Sequence, residues 1–210
     1  MALRADPARG DICLVVPKRV SEKTAWKFAT DNIGWIEARL SRMQKPVPFA
    51  HDSVLPIFGQ ERRIVVTRTG GRTTACTLTD TTLEVHTPRE NPANNIKAFL
   101  LDQLLETIRP AAEAKARSIG KAIRKITLRD TRTRWGSCGP DGNLMLCWRL
   151  VFAPMQVIDY VVAHEVAHLQ HLDHSRRFWE LCHQLSDDMH GSRAWLEANG
   201  DSLLRYGLRP

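Results

Sequence analysis

His164-Glu165-Val166-Ala167-His168, with His174 six residues further on, restricts this chain more than any other stretch of it. The His-Glu-x-x-His pattern makes chemical sense only on a helix. There, positions i and i+4 share a face about one turn apart. Both imidazoles then reach one ion at the roughly 2.0–2.1 Å that zinc–nitrogen bonds require. Glu165 projects beside them, placed to take a proton from water at the metal. A third protein ligand would leave the fourth tetrahedral position open, which is the catalytic and not the structural arrangement. The expectation is a hydrolase with one Zn2+ per chain.

The flanking residues supply that helix. Pro154 suits a first helical position, and Met155, Ile158, Val161, Val162, Val166 and Leu169 recur at the three- and four-residue spacing of a buried face. A helix is predicted over about 154–170. His174 stands just before Ser175, a good N-cap for the next apolar-periodic run, Phe178, Trp179, Leu181, Cys182 and Leu185. A residue held against a cap suits a third ligand. The spacing of His164, His168 and His174 also matches that of the metzincin proteases, although His171 stands where those carry Gly. His171 and the later carboxylates Glu180 and Glu197 compete for the third position. If His171 is not a ligand, it lines the mouth of the site or is merely exposed.

Composition narrows the setting. A chain 43% hydrophobic and 25% charged has the apolar content for a real core and reads as a soluble globular protein. No run approaches the eighteen or so apolar residues of a membrane span. The stretch from Ile12 to Pro17 is too short for the apolar core of a signal peptide. Five cysteines, at positions 13, 76, 138, 147 and 182, form no knot-like pattern and read as reduced thiols of a cytoplasmic protein. The net charge of +7 keeps a nucleotide or nucleic acid open as partner. Lys121, Arg124 and Lys125, then Arg132 and Arg134, then Arg176 and Arg177 are clustered. No aromatic-interleaved RNA platform, zinc-finger spacing or basic tail accompanies them.

Along the chain, a helix is predicted from Ser21 to about Met43, followed by a β-rich segment from Val54 to His86 with a turn at Gly70-Gly71. Another helix follows Asn91-Pro92 and carries Ile96, Phe99, Leu100, Leu104 and Ile108, with Pro110 expected to kink or interrupt it. Strands are predicted at Lys125–Arg129, Thr131–Cys138 and Asn143–Val151, the last two joined by the turn Gly139-Pro140-Asp141-Gly142. The metal helix and two more helices close the chain. This order predicts an α+β fold: a β-rich region with one helix over 1–90, then a catalytic unit over 91–210. In that unit a backing helix, a small sheet and the metal helix pack together. An edge strand above the metal could hold an extended peptide by main-chain hydrogen bonds.

Several segments resemble the YgjP-like metallopeptidase family. They are Arg134-Trp135-Gly136-Ser137-Cys138, the run from Leu146 to Pro154, the run from Val157 to Glu165, His174-Ser175-Arg176-Arg177-Phe178-Trp179, and Arg193-Ala194-Trp195-Leu196. The likeness is specific from about 125 to 197 and lies in layout alone before that. It implies a zincin-type fold, kin to the SprT-like and WLM proteases. By position it implies zinc on His164, His168 and His174, with Glu165 as general base. Cys147 stands where the family is expected to carry Asn.

Trp135, Gly136 and Ser137 admit two readings: a substrate-binding strand, where Gly lets another backbone approach closely, or a Trp packed under the hairpin. Arg149, His171 and Tyr160 are candidates for an oxyanion donor. The predicted activity is peptide-bond hydrolysis on a peptide or protein substrate. One alternative is phosphoanhydride hydrolysis, with Arg132, Arg134 or Arg149 holding phosphates. Another is a non-catalytic adaptor stabilised by metal.

Overall fold

Six apolar residues spaced four apart, Ile96, Leu100, Leu104, Ile108, Ala112 and Ala116, form the buried stripe of the chain's longest helix. The structure, a computed structural model, describes residues 1–6, 10–42 and 45–207. Its elements in chain order are β1 (Ala2–Asp6), β2 (Asp11–Val15), α1 (Glu22–Asp31), α2 (Ile33–Arg42), β3 (Val54–Ile57), β4 (Gln60–Arg68), β5 (Ala75–Leu78), β6 (Thr82–Thr87), α3 (Ala93–Ser118), β7 (Lys125–Arg129), β8 (Gly136–Cys138) and β9 (Asn143–Cys147). A 3-10 turn (Trp148–Phe152), α4 (Met155–Ala167), α5 (Arg176–Leu185) and α6 (Met189–Leu203) follow. The fold is mixed α+β.

The strands form a β1–β2 hairpin, a sheet of order β3-β4-β6-β5 and a sheet of order β7-β9-β8. Two pairings, β4 with β6 and β7 with β9, are parallel. A single apolar cluster joins Leu55, Ile57, Ile64, Leu83 and Val85 of the second sheet to the α3 stripe, Leu144 and Leu146 of β9, Phe152, and Val157 and Val161 of α4. It therefore draws on residues from both sides of position 90.

Four expectations change. The first predicted helix breaks at Asn32, whose Nδ2 donates to Phe28 O at 2.8 Å and so satisfies a terminal carbonyl. Pro110 does not interrupt α3, which runs on to Ser118. Pro110 and Glu106 are both exposed, so the carbonyl deprived of a partner faces water while the buried stripe holds the helix on either side. The strand predicted to reach Val151 ends at Cys147. All five residues of the following 3-10 turn are buried, an environment that a strand with one solvated face cannot supply. Of the strand predicted from Thr131, only Gly136–Cys138 pairs. Before it the chain loops, with Thr131 Oγ1 donating to Arg134 O at 2.8 Å.

The β3–β4 turn seats α4. Phe58 and Gly59 both have positive φ, 53° and 78°, as a two-residue hairpin of the twisted kind requires. Phe58 N donates to Val151 O at 2.7 Å. A Cβ on Gly59 would lie 2.8 Å from Cα of Pro154, the N-cap of α4. Gly59→Ala is expected to cost about 2 kcal/mol, from the left-handed backbone and the clash together. That lowers the melting midpoint by roughly 4–8 °C in a chain of this size. An unchanged thermal melt would show that Pro154 yields freely.

Candidate metal centre

Helix α4 is apolar almost all round, burying Val157, Ile158, Tyr160, Val161, Val162, Ala163, Val166 and Ala167. Such a helix belongs inside a protein, and it packs against α3, α5, α6 and β8. Within this apolar column stand His164 and Glu165, and His168 is its C-cap. Glu165 is 5% exposed.

The chain leaves α4 through a tight turn in which Gln170 N and His171 N both donate to Ala167 O, at 3.1 and 3.0 Å. That turn brings the His171 carbonyl to 3.0 Å from Nδ1 of His168. An N–H donated there fixes the tautomer and leaves Nε2 of His168 with its lone pair free. The chain then runs back so that Nε2 of His174 lies 3.2 Å from Nε2 of His164. Two nitrogens on one tetrahedral zinc sit roughly 3.3 Å apart. One ligand atom from each of His164, His168 and His174 lies within 4.8 Å of the others, the one such cluster among the described residues. The donor set and its spacing fit a zinc ion.

The electrostatics favour uncharged imidazoles. Burial first, and then repulsion from His168, His174 and Arg193, pull the pKa of His164 down to about 4. Burial also lowers His168, against the opposing hydrogen bond to the His171 carbonyl. Burial pushes Glu165 up to about 8, with the field of Arg134 opposing. Its Oε2 is buried without a hydrogen-bond partner among the described residues.

Neighbouring elements hold the three imidazoles in place. The Phe178 ring of α5 lies 4.9, 4.5 and 4.7 Å from the rings of His164, His168 and His174. Trp179 lies at 5.6 Å over His174. Ser175 occupies the N-cap of α5 as expected, but its side chain makes no capping bond to the helix. It hydrogen bonds Asp173 instead, holding that carboxyl below its usual range. Lys115 of α3 pairs with Asp159 of α4 at 2.8 Å and donates to Leu185 O at the end of α5. Ser192 of α6 donates to Gln156 O at 3.0 Å.

Strand β8 is the edge of its sheet and lies against α4. A Cβ on Gly136 would sit 2.5 Å from Oε1 of Glu165. The glycine's close neighbour is therefore the carboxylate itself. Trp135 packs on Gly200 of α6, where a Cβ would lie 3.0 Å from the indole ring. Ser137 pairs in register with Met145.

Arg149, Glu180 and Glu197 are committed elsewhere. Arg149 is buried, stacks on Trp148 at 4.6 Å, and donates to the Asp130 carboxylate and to Leu204 O. Glu180 pairs with Arg176 at 2.7 Å and Glu197 with Arg193 at 3.0 Å. His171 is half-buried and contributes its carbonyl. Tyr160 is buried, its ring 6.0 Å from that of His164. Sequence reasoning missed the Gly136–Glu165 contact and the His168–His171 carbonyl bond. The first comes from β8 packing on α4 and the second from the turn after α4, and periodicity reports neither.

A sequence model of the YgjP-like, metallopeptidase domain family matches residues 1–199. The match thus spans the N-terminal half as well. No curated protein and no solved structure matches the chain.

Proposed function

This chain belongs to the YgjP-like metallopeptidase family, and from that premise we propose that it is a zinc-dependent peptidase of zincin type. Zinc is held by His164, His168 and His174, and Glu165 is the general base. Catalysis is assigned to residues 91–210, where all of these residues fall. The observation that carries the reading is the 3.2 Å approach of two Nε2 atoms beside a buried, unpartnered carboxylate oxygen.

Zinc held there would supply Lewis acidity toward water and toward a scissile carbonyl. Glu165 accepts the proton of the attacking water and returns it to the leaving amine. The edge of β8 offers main-chain donors and acceptors to an extended peptide, so that strand and base are registered by the same Gly136 contact. Commitment of Arg149 to Asp130 removes one cation offered for phosphate binding and weighs against the phosphoanhydride alternative. No helix among the described residues is long and apolar enough to cross a membrane. The cytoplasmic setting is part of this proposal and is supported by the free thiols.

The test is a peptide library incubated with zinc-loaded wild type or Glu165→Gln and read by mass spectrometry for new termini, with phosphate release from nucleoside triphosphates run in parallel. New termini with wild type alone are expected. Phosphate release without peptide cleavage would transfer the activity to phosphoanhydrides, and a Glu165→Gln variant that keeps the biological role would favour the adaptor.

Gly136→Ala gives a finer check. The added methyl displaces the Glu165 carboxylate, and misplacement by about 1 Å costs on the order of 10²-fold in rate. Cleavage is expected to fall by about that factor with zinc content unchanged. Full activity would mean that the carboxylate has room to move.

A further inference from the structure

Six of the chain's seven net positive charges lie in sixteen consecutive residues, 114–129, which hold Lys115, Arg117, Lys121, Arg124, Lys125 and Arg129 and no acid. Lys115 is paired with Asp159. The other five are exposed and form no ion pair with any described residue. They run from the last turn of α3 through the connection and along β7, the edge of the catalytic sheet opposite β8. On β7, Lys125 and Arg129 alternate with Ile126, which is buried. They therefore share the outer face, about 13 Å apart along the strand.

Ordinary structural needs account for part of this band. Cations favour a helix C-terminus, which covers Lys115 and Arg117. Charges on an edge strand deter strand addition, which covers Lys125 or Arg129. Neither need calls for Lys121 and Arg124 in the connection, nor for the absence of any acid to pair with them.

We propose that this band is a binding surface for the phosphate backbone of nucleic acid. Among the described residues no large hydrophobic side chain is exposed between Val54 and Met155, so nothing in the band inserts into a lipid surface. Residues 114–129 contain no aromatic side chain for base stacking. Recognition is thus of phosphates and independent of base sequence. The bound strand lies two strand spacings, roughly 10 Å, from the β8 edge and leaves that edge free. This inference does not depend on the peptidase reading.

The test is fluorescence anisotropy with a labelled DNA duplex of about twenty base pairs and arbitrary sequence, between 50 and 200 mM salt. Two triple variants are compared: Lys121→Gln/Arg124→Gln/Lys125→Gln, and Lys18→Gln/Arg19→Gln/Lys23→Gln as a control removing equal charge elsewhere. The band variant is expected to bind at least about tenfold more weakly, with the slope of log affinity on log salt shallower by about 2–3. The control stays within about twofold of wild type. Equal weakening in both variants would reduce the effect to net charge and overturn the proposal. So would a wild-type slope shallower than about −2, which needs no variant, or binding to vesicles of anionic phospholipid but not to the duplex.

Discussion

His174→Ala is expected to strip the protein of the zinc proposed for it. Wild-type protein purified without chelator or histidine tag is expected to carry about one zinc per chain, in line with the three imidazoles gathered within 4.8 Å. Losing one of three protein ligands costs more than losing an outer-shell partner, which is already worth 10–100-fold in affinity. The expected drop is therefore at least about 10³-fold, read by elemental analysis and by competition with a chelator of known affinity. His171→Ala and Glu180→Gln serve as controls and keep their metal, because His171 contributes a carbonyl and Glu180 is paired with Arg176. Full zinc in His174→Ala would remove it from the ligand set and return the third position to a competing residue.

Glu165→Gln stabilises the metal-free protein, and by an amount that depends on pH. The carboxyl has a folded-state pKa of about 8 against an ordinary 4.5. Between those values the folded protein holds a proton that the unfolded chain releases. Stability from this residue is therefore fully present below about 4.5 and is lost as pH rises through 8. Gln, which never ionises, escapes that loss. The difference between variant and wild type is expected to vanish near pH 4.5 and to reach about 5 kcal/mol above pH 8, or roughly 10–20 °C in melting midpoint. Comparing the two proteins also cancels the opposite trend from His164, whose depressed pKa makes the folded state lose stability as pH falls from 6.5 to about 4. Zinc shrinks the gain, since a nearby cation favours the carboxylate. Melts of chelator-treated samples across pH decide it; a difference flat with pH would mean that Glu165 is already solvated in the metal-free state.

The parts of this protein legible from its residues are those written in local periodicity. The α3 stripe, the apolar α4 column with its i, i+4 imidazoles, the turn before β9 and the lone His just ahead of α5 all follow from spacing. What was not legible depends on partners far along the chain. Trp148, Leu150 and Phe152 alternate as a strand would, yet the run coils because Arg149 between them is also buried, held by Asp130 and Leu204. Gly136 looked like a place for another backbone to approach and instead makes room for Glu165. Pro110 looked like a break and is tolerated because it lies on the wet side of a helix buried elsewhere. Of the rivals for the third position, Glu180 and Glu197 pair with neighbouring arginines, while His174 is the imidazole gathered with His164 and His168.

The seat that the Phe58-Gly59 turn provides for Pro154 has a temporal side. A ribosome delivers this turn long before it delivers the helix that rests on it. Until then Leu55 and Ile57 of β3, fully buried in the finished protein, lack the 3-10 turn Trp148–Phe152 that packs against their strand. Pairings that span so much chain form slowly and leave sticky surface open meanwhile. Substitutions in this hairpin should therefore register first as lost yield during synthesis, rescued by slower translation or by a holding chaperone, before any defect appears in the molecules that mature.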